Sequence, residues 1–376
     1  MPWSPVTVND QRTEFVTLAG QVDANVSELC RRFGISRKTG YKWLGRYERQ
    51  GQAGLELLSS RPRHTPGRTP EAIEAKVLAI RQRHPAWGGR KISHVLLRDQ
   101  GVRLAASTVT EVLRRHGCLV EPKPGAGRAW QRFEHEAPND LWQMDFKGHF
   151  ATDRQRCHPL TVIDDHSRYN IVLQALADEC FESVQASLLQ AFQRYGLPRR
   201  INTDNGTPWA ASGMGTLTRL AVWLIRLGID LSHSRPAHPQ TNGKDERFHR
   251  TFKAEVLGTR RFRDLADAQR EFDPWRQIYN HERPHQALGM QTPAQRFKSS
   301  PRSMPRALPP IVYGPDTLVR KVQYGGWVNL QGKQLRLSAG LRGQYVAFRP
   351  QPEKDGTFDI LFCHLGLGKI DLRSIK

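Results

Sequence analysis

The chain has 376 residues and carries 57 Lys plus Arg against 36 Asp plus Glu, a formal net charge of +21. That length exceeds one ordinary core, so two to four domains are expected, and so large a positive excess favours a polyanionic partner, nucleic acid ahead of an anionic membrane. The longest apolar run, LAVWLIRLG, is broken by Arg226 and falls well short of the roughly 20 residues that span a bilayer, while five scattered cysteines with no C-x-x-C pair argue against a disulfide framework or a cysteine zinc site.

The start, MPWSPVTVND, lacks a basic segment followed by an apolar one, so no secretory signal is read and a cytoplasmic, nucleoid-associated location is expected. Pro/Ser- or Pro/Gly-rich stretches at 59–70, from Glu121 onward and at 299–310 read as linkers. They divide the chain into segments 1–58, 70–120, 135–298 and 311–376. The charge is unevenly spread: +11 over residues 1–134, +3 over 135–300 and +7 over 301–376. Basic flanks around a nearly neutral middle suggest binding modules on either side of a domain that keeps its carboxylates.

In the first segment Val26, Leu29, Cys30 and Phe33 lie at helical spacing, and Gly34 closes that helix. Ser36 can cap a second helix that carries Arg37, Lys38 and Lys42 near its start, with Tyr41 and Leu44 facing inward. Two short helices around a glycine turn, the second one basic, form a helix-turn-helix signature; the alternative is a helical hairpin with a solvated basic face. The next segment repeats the arrangement. GGRKISHVLLRDQG is amphipathic through Ile92, Val95 and Leu96, and ASTVTEVLRRHG begins at a Ser107 cap and ends with Arg114 and Arg115 as candidate DNA contacts, unless the unit serves packing alone.

The segment from 135 to 298 alternates strand and helix patterns. LWQMDFKGHF, HPLTVIDDHSR and YNIVLQAL read as strands, FESVQASLLQAFQRYG as a helix and RRINTDNG as a strand ending in a turn. TRLAVWLIRLG then reads as a helix, IDLSHSRP as a strand and NGKDERFHRTFKAEV as a helix. This is an α/β domain with a mixed sheet. Three carboxylates stand out. Asp145 sits among hydrophobes in a strand, where a charge is costly unless paired or metal-bound. Asp204 ends a strand, where open α/β sheets place ligands, although TDNG is also a good turn. Glu246 lies one turn into a helix, and at about 100° per residue it shares a polar stripe with Arg250 and Lys253, opposite Phe248 and Phe252. Asp245 falls nearer the aromatic side, so Glu246 is preferred to it. Two Mg²⁺ ions roughly 4 Å apart, with Mn²⁺ an alternative, suit an in-line phosphodiester displacement, and carboxylates from separate elements suffice to hold them. Lys253 and Arg250 would hold substrate phosphates. Asp164 and Asp165 fit a hairpin or salt-bridge role better than a ligand role.

WQMDFKG around Asp145, NTDNGTPW around Asp204, HPQTNGKDERFHRTFK around Glu246 and the tail YNHERPHQALGMQTPAQRF together resemble bacterial insertion-sequence transposases of the DDE type with a retroviral-integrase-type core. The resemblance implies an RNase H-like fold in which Asp145, Asp204 and Glu246 hold two divalent ions, Lys253 contacts DNA near the scissile phosphate, and the loop 238–243 borders the site. Two departures stand beside it. The 42-position interval from Asp204 to Glu246 is longer than the compact form, the surplus falling in AASGMGTLTR, and the paired His and Cys of a retroviral zinc module are missing.

The segment 311–376 changes to short strands joined by glycine turns, with aromatics at Tyr345 to Phe348 and Phe358 to Phe362 read as inward. It suggests a small β-barrel, and the resemblance favours the SH3-like kind; a packing or dimerisation module is the alternative. The expected function is a transposase that binds double-stranded DNA at its element's ends, cuts, and joins the 3′ hydroxyl to target DNA. Pairing two ends requires at least a dimer. A DNA-binding regulator that has lost activity, or a metal nuclease without joining activity, are the competing readings.

Overall fold

The computed structural model describes residues 7–57, 67–119, 134–204, 217–233 and 243–374, and the chain divides into two compact units after Arg68. Two of the stretches read as linkers fall largely outside the described residues, as does most of the AASGMGTLTR surplus.

The first unit is a three-helix cluster: α1 (Val8–Ala19), α2 (Val26–Arg32) and α3 (Arg37–Gln50). Each helix starts on a side-chain cap. Thr7 and Asp10 form a reciprocal capping box, Asn25 accepts from the Glu28 N–H, and Ser36 accepts from the Thr39 N–H as anticipated. Phe15, Val16, Cys30, Trp43 and Leu55 make the core. Helix α3 comes close enough that a Cβ on Gly40 would sit 2.5 Å from Cys30 Sγ and 3.0 Å from Phe15 Cζ. Tyr41 does not face inward: it is 60% exposed, and Trp43 takes the inner position. The cause is helix phase, because Gly40 and Trp43 lie three residues apart on the packed face and Tyr41 is turned about 100° from Gly40.

The second unit opens with another helical triplet, α4 (Glu71–Arg83), α5 (Gly89–Gln100) and α6 (Ala106–Arg115), closed over Val77, Ile80, Trp87, Ile92, Leu96, Val109, Val112 and Leu113. Helix α6 begins one residue before the expected cap. Ala105 holds extended backbone and makes no side-chain cap bond, so Ser107 lies inside the first turn.

A mixed sheet follows, built of β1 (Leu141–Phe146), β2 (Phe150–Ala151), β3 (Arg156–Asp164), β4 (Asn170–Leu176), β5 (Arg200–Thr203) and β6 (Asp230–His233). Its order is β2-β3-β1-β5-β6, with β4 also paired to β3. The β1–β3 and β3–β4 pairs are antiparallel, whereas β1–β5 and β5–β6 are parallel. Helices α7 (Phe181–Tyr195) and α8 (Arg219–Arg226) pack Val184, Leu188, Phe192, Leu220 and Leu224 on the face bearing Trp142, Met144, Leu160 and Val162. Helices α9 (Gly243–Phe252) and α10 (Leu265–Gln277) cover the opposite face with Phe248, Phe252, Phe272 and Trp275. Strand alternation therefore sends Trp142 and Met144 to one side and Asp145 to the side of α9.

After the short helix α11 (Pro293–Arg296), the stretch 299–310 is irregular, as its composition suggests, but it is strapped to the core. The Ser300 N–H donates to the Tyr195 carbonyl at 2.7 Å, and the Arg302 guanidinium reaches the carbonyls of Pro198 at 2.7 Å and Gly228 at 2.6 Å. Beyond it come β7 (Leu318–Lys321), β8 (Trp327–Leu330), β9 (Lys333–Arg336), β10 (Tyr345–Pro350), β11 (Thr357–Phe362) and β12 (Leu365–Asp371). They form a four-stranded sheet, β12-β11-β10-β7, and a separate β8–β9 hairpin, so among the described strands the ladders stay open rather than closing into a barrel. Phe348, Phe358 and Phe362 are buried as expected, but Tyr345 is 49% exposed because strand alternation gives the inner positions to Val346 and Phe348. Val222 and Ile225 of α8 enter this β core. That explains the run LAVWLIRLG: α8 is apolar on both faces because it is packed on both.

Candidate active site

Asp145 lies in β1, between β3 and β5, and Asp204 follows the last residue of β5. Since β1 and β5 are parallel, both acids arise at the carboxyl ends of adjacent strands, where an open α/β sheet leaves a crevice. The Asp145 carbonyl accepts from the Thr161 hydroxyl at 3.0 Å across the β1–β3 ladder, and the Asp204 carbonyl accepts from the Thr203 hydroxyl at 3.1 Å. Helix α9 lays its first turn beside β1. There Asp245 is fully buried, and Asp145, Asp245 and His249 each direct a ligand atom into a group whose atoms all lie within 4.8 Å of one another.

Burial comes first, and neighbouring charge second, in the electrostatics of this group. Burial, and then the neighbouring Asp204 carboxylate, push the Asp145 carboxyl up to about 7, against a weaker pull from the Phe146 N–H and Lys147. Asp245 is raised well above the ordinary carboxyl range by burial first and by the Asp145 charge second, with Glu246 adding to it and the Thr161 hydroxyl opposing. His249 is pushed down to about 3 by burial and then by Lys147, so its imidazole is neutral. Carboxyl oxygens and a neutral imidazole nitrogen gathered this closely suit a divalent cation. The Oδ2 atom of Asp245, buried and without a hydrogen-bond partner among the described residues, fits the same reading.

Glu246 is exposed, and with the exposed Arg250 and Lys253 it forms the expected polar stripe opposite buried Phe248 and Phe252. Lys253 opens a π-helical turn, Lys253–Leu257, at the end of α9. Most of the loop 238–243 lies outside the described residues. Asp164 and Asp165 take the hairpin and salt-bridge roles expected of them. Asp164 accepts from the N–H groups of Asn139 at 2.7 Å and Ser167 at 2.8 Å. Asp165 accepts from the His135 N–H at 2.9 Å and Gln143 Nε2 at 2.8 Å, and pairs with Lys244. That ion pair fastens the first turn of α9 to the β3–β4 turn.

On α3 the side chains of Arg37, Lys38 and Lys42 are exposed. The candidates on α6 are differently placed: Arg114 pairs with Glu111, and Arg115 lies 2.7 Å from buried Glu74, which His116 also meets at 2.9 Å. The sequence analysis set Asp245 aside in favour of Glu246, and it did not single out His249 or Thr161. The four-residue spacing of Asp245 and His249, which places both on one helix face, was the available signal.

Residues 135–239 match the family model described as Integrase core domain, and a second Integrase core domain model matches 227–293. A Helix-turn-helix domain model matches 11–63, a Homeodomain-like domain model 39–113, and the model for the IS481 family transposase C-terminal domain 317–376. The Xanthomonas euvesicatoria protein described as "Insertion element IS476 uncharacterized 39.2 kDa protein" is 30% identical over 239 residues, 62% of this chain and 67% of that one. The Escherichia coli "Transposase InsD for insertion element IS2A/D/F/H/I/K" is 24% identical over 286 residues, 70% of this chain and 93% of that one. The structure titled "HTLV-2 integrase catalytic core domain in complex with magnesium (trimeric form)" aligns with 43% of this chain and 97% of its own at 18% identity and a TM-score of 0.32. The mixed sheet with acids at adjacent strand ends, together with the core models, defines an integrase-type enzyme. The chain belongs to the bacterial DDE-type insertion-sequence transposases.

Proposed function

We propose that this transposase binds the ends of its element as double-stranded DNA, cuts a phosphodiester bond there, and joins the exposed 3′ hydroxyl to target DNA, working as a homo-oligomer of at least two protomers. The observation that carries the reading is Asp145: a half-buried carboxyl beside the carboxylates of Asp204 and Asp245, which the nearby Lys147 offsets only in part. Asp145, Asp204 and Glu246 are the proposed holders of two Mg²⁺ or Mn²⁺ ions. Bound there, such ions would polarise the phosphoryl oxygens and favour an ionised oxygen nucleophile. The chain itself holds the acids on a rigid sheet and helix and keeps His249 neutral. It presents Arg250 and Lys253 along the exposed face of α9, where they meet DNA phosphates. Water and a 3′ hydroxyl are similar nucleophiles, so one site serves both steps.

Arg37, Lys38 and Lys42 on α3 are the proposed contacts to element ends, with Arg114 and Arg115 as weaker candidates because each is already ion-paired. The basic segment 311–376, with the open sheets that enclose its core, is assigned to DNA-backbone contact. The test is a gel assay with oligonucleotides bearing the element's ends, in Mg²⁺ and in EDTA. Joined product only with metal supports the transposase; cleavage without joined product identifies a nuclease. Binding with neither reaction identifies a regulator.

A further inference from the structure

We propose that Asp245 is itself a ligand of the divalent ion held at Asp145, an assignment that rests on the metal-dependent reading above. Asp245 is fully buried, on the aromatic side of α9, and among the described residues the side-chain donor groups that approach its carboxylate are the Thr161 hydroxyl and His249. Among the described residues Oδ2 has no hydrogen-bond partner. Oδ1 lies 3.3 Å from the Thr161 hydroxyl and 3.7 Å from His249 Nε2. Thr161 has one proton to give, and two acceptors compete for it at shorter range: the Asp145 carbonyl at 3.0 Å and, in one tautomer, His249 Nε2 at 2.8 Å. In the other tautomer His249 donates to Thr161, and the hydroxyl proton turns to the Asp145 carbonyl. In neither arrangement does a described residue give Asp245 a short hydrogen bond.

A buried carboxylate in that state is costly and demands either a proton or a cation. Its setting favours a cation. Ligand atoms about 2.1 Å from an Mg²⁺ ion stand roughly 3 to 4 Å apart, and the atoms of Asp145, Asp245 and His249 are all within 4.8 Å of one another before any ion draws them together. The two carboxylates approach from a strand and a helix held in fixed relation, α9 being fastened by the Lys244–Asp165 pair at the preceding residue. Glu246, on the exposed side, then serves the solvent-facing part of the same site.

The experiment measures Mn²⁺ binding to the full chain by electron paramagnetic resonance, for wild type, Asp245→Asn and Asp145→Asn, with melting followed in EDTA and in Mn²⁺. The expected result is a loss of at least about 10-fold in Mn²⁺ affinity in Asp245→Asn. Its melting temperature in EDTA should be no lower than that of wild type, and its upward shift with Mn²⁺ should be smaller. If Asn disturbs folding, Asp245→Leu, similar in volume and apolar, replaces it with the same expectation. Wild-type affinity in the Asp245 variant alongside lost affinity in Asp145→Asn overturns the assignment and leaves the metal site standing. Wild-type affinity in both variants overturns the metal reading as well.

Discussion

At the scale of single residues, the carboxyl groups make a stability prediction with a definite sign. The folded-state value of Asp145 is raised to about 7 from an ordinary 3.8, so the native chain binds the extra proton. The associated stability is fully present below about 3.8 and is lost as pH rises through about 7. In EDTA the wild type should therefore melt at a higher temperature at pH 5 than at pH 8, Asp145→Asn should show a flatter profile, and Mg²⁺ should restore the wild type at pH 8. Calorimetric melts across pH check this, and a wild-type profile as flat as that of the variant contradicts it. Asp145 was legible because a charge between Met144 and Phe146 in a strand has few structural explanations. Asp245 was set aside because helix phase put it nearer the aromatic side; its approach to Asp145 is visible only in three dimensions.

At the scale of elements, close approach and captured loops hold the parts in place. Replacing Gly40 with Val puts carbon where Cys30 and Phe15 already stand, and the cost should be about 1–3 kcal/mol, read from denaturant unfolding of the full chain. Arg302→Ala leaves the carbonyls of Pro198 and Gly228 without their charged donor, so a loss of at least about 2 kcal/mol and faster proteolysis within 299–310 are expected. An Arg302→Ala protein as resistant as wild type would show that the strap does not hold. Composition identified this stretch as irregular, since four prolines leave it no regular ladder. Composition does not show where an irregular backbone sends its hydrogen bonds, so the strap appears only in three dimensions. The same applies to α8. Its apolar run was visible, whereas its second buried face depends on a β module nearly a hundred residues further along the chain. Closure of that module into a barrel depended on which strands pair, a long-range choice that alternation does not decide.

At the scale of the molecule, charge and chemistry are divided. The flanks carry +11 and +7 and the middle +3, so affinity for DNA should be supplied mainly by the flanks and should fall steeply with salt. Converting Arg37, Lys38 and Lys42 together to Ala should lower the steepness of log affinity against log salt by roughly 2–3, about 0.9 for each phosphate no longer neutralised; an unchanged slope in a binding titration would remove α3 from the interface. The division also lets binding and reaction be tested apart. The most direct measurement is strand transfer by full-length Asp145→Asn, with end-bearing oligonucleotides and Mg²⁺, beside wild type matched for DNA binding and melting temperature. Joined product should fall by more than about 100-fold while binding is retained. Joining at the wild-type rate would contradict the assignment of Asp145 to the reacting site.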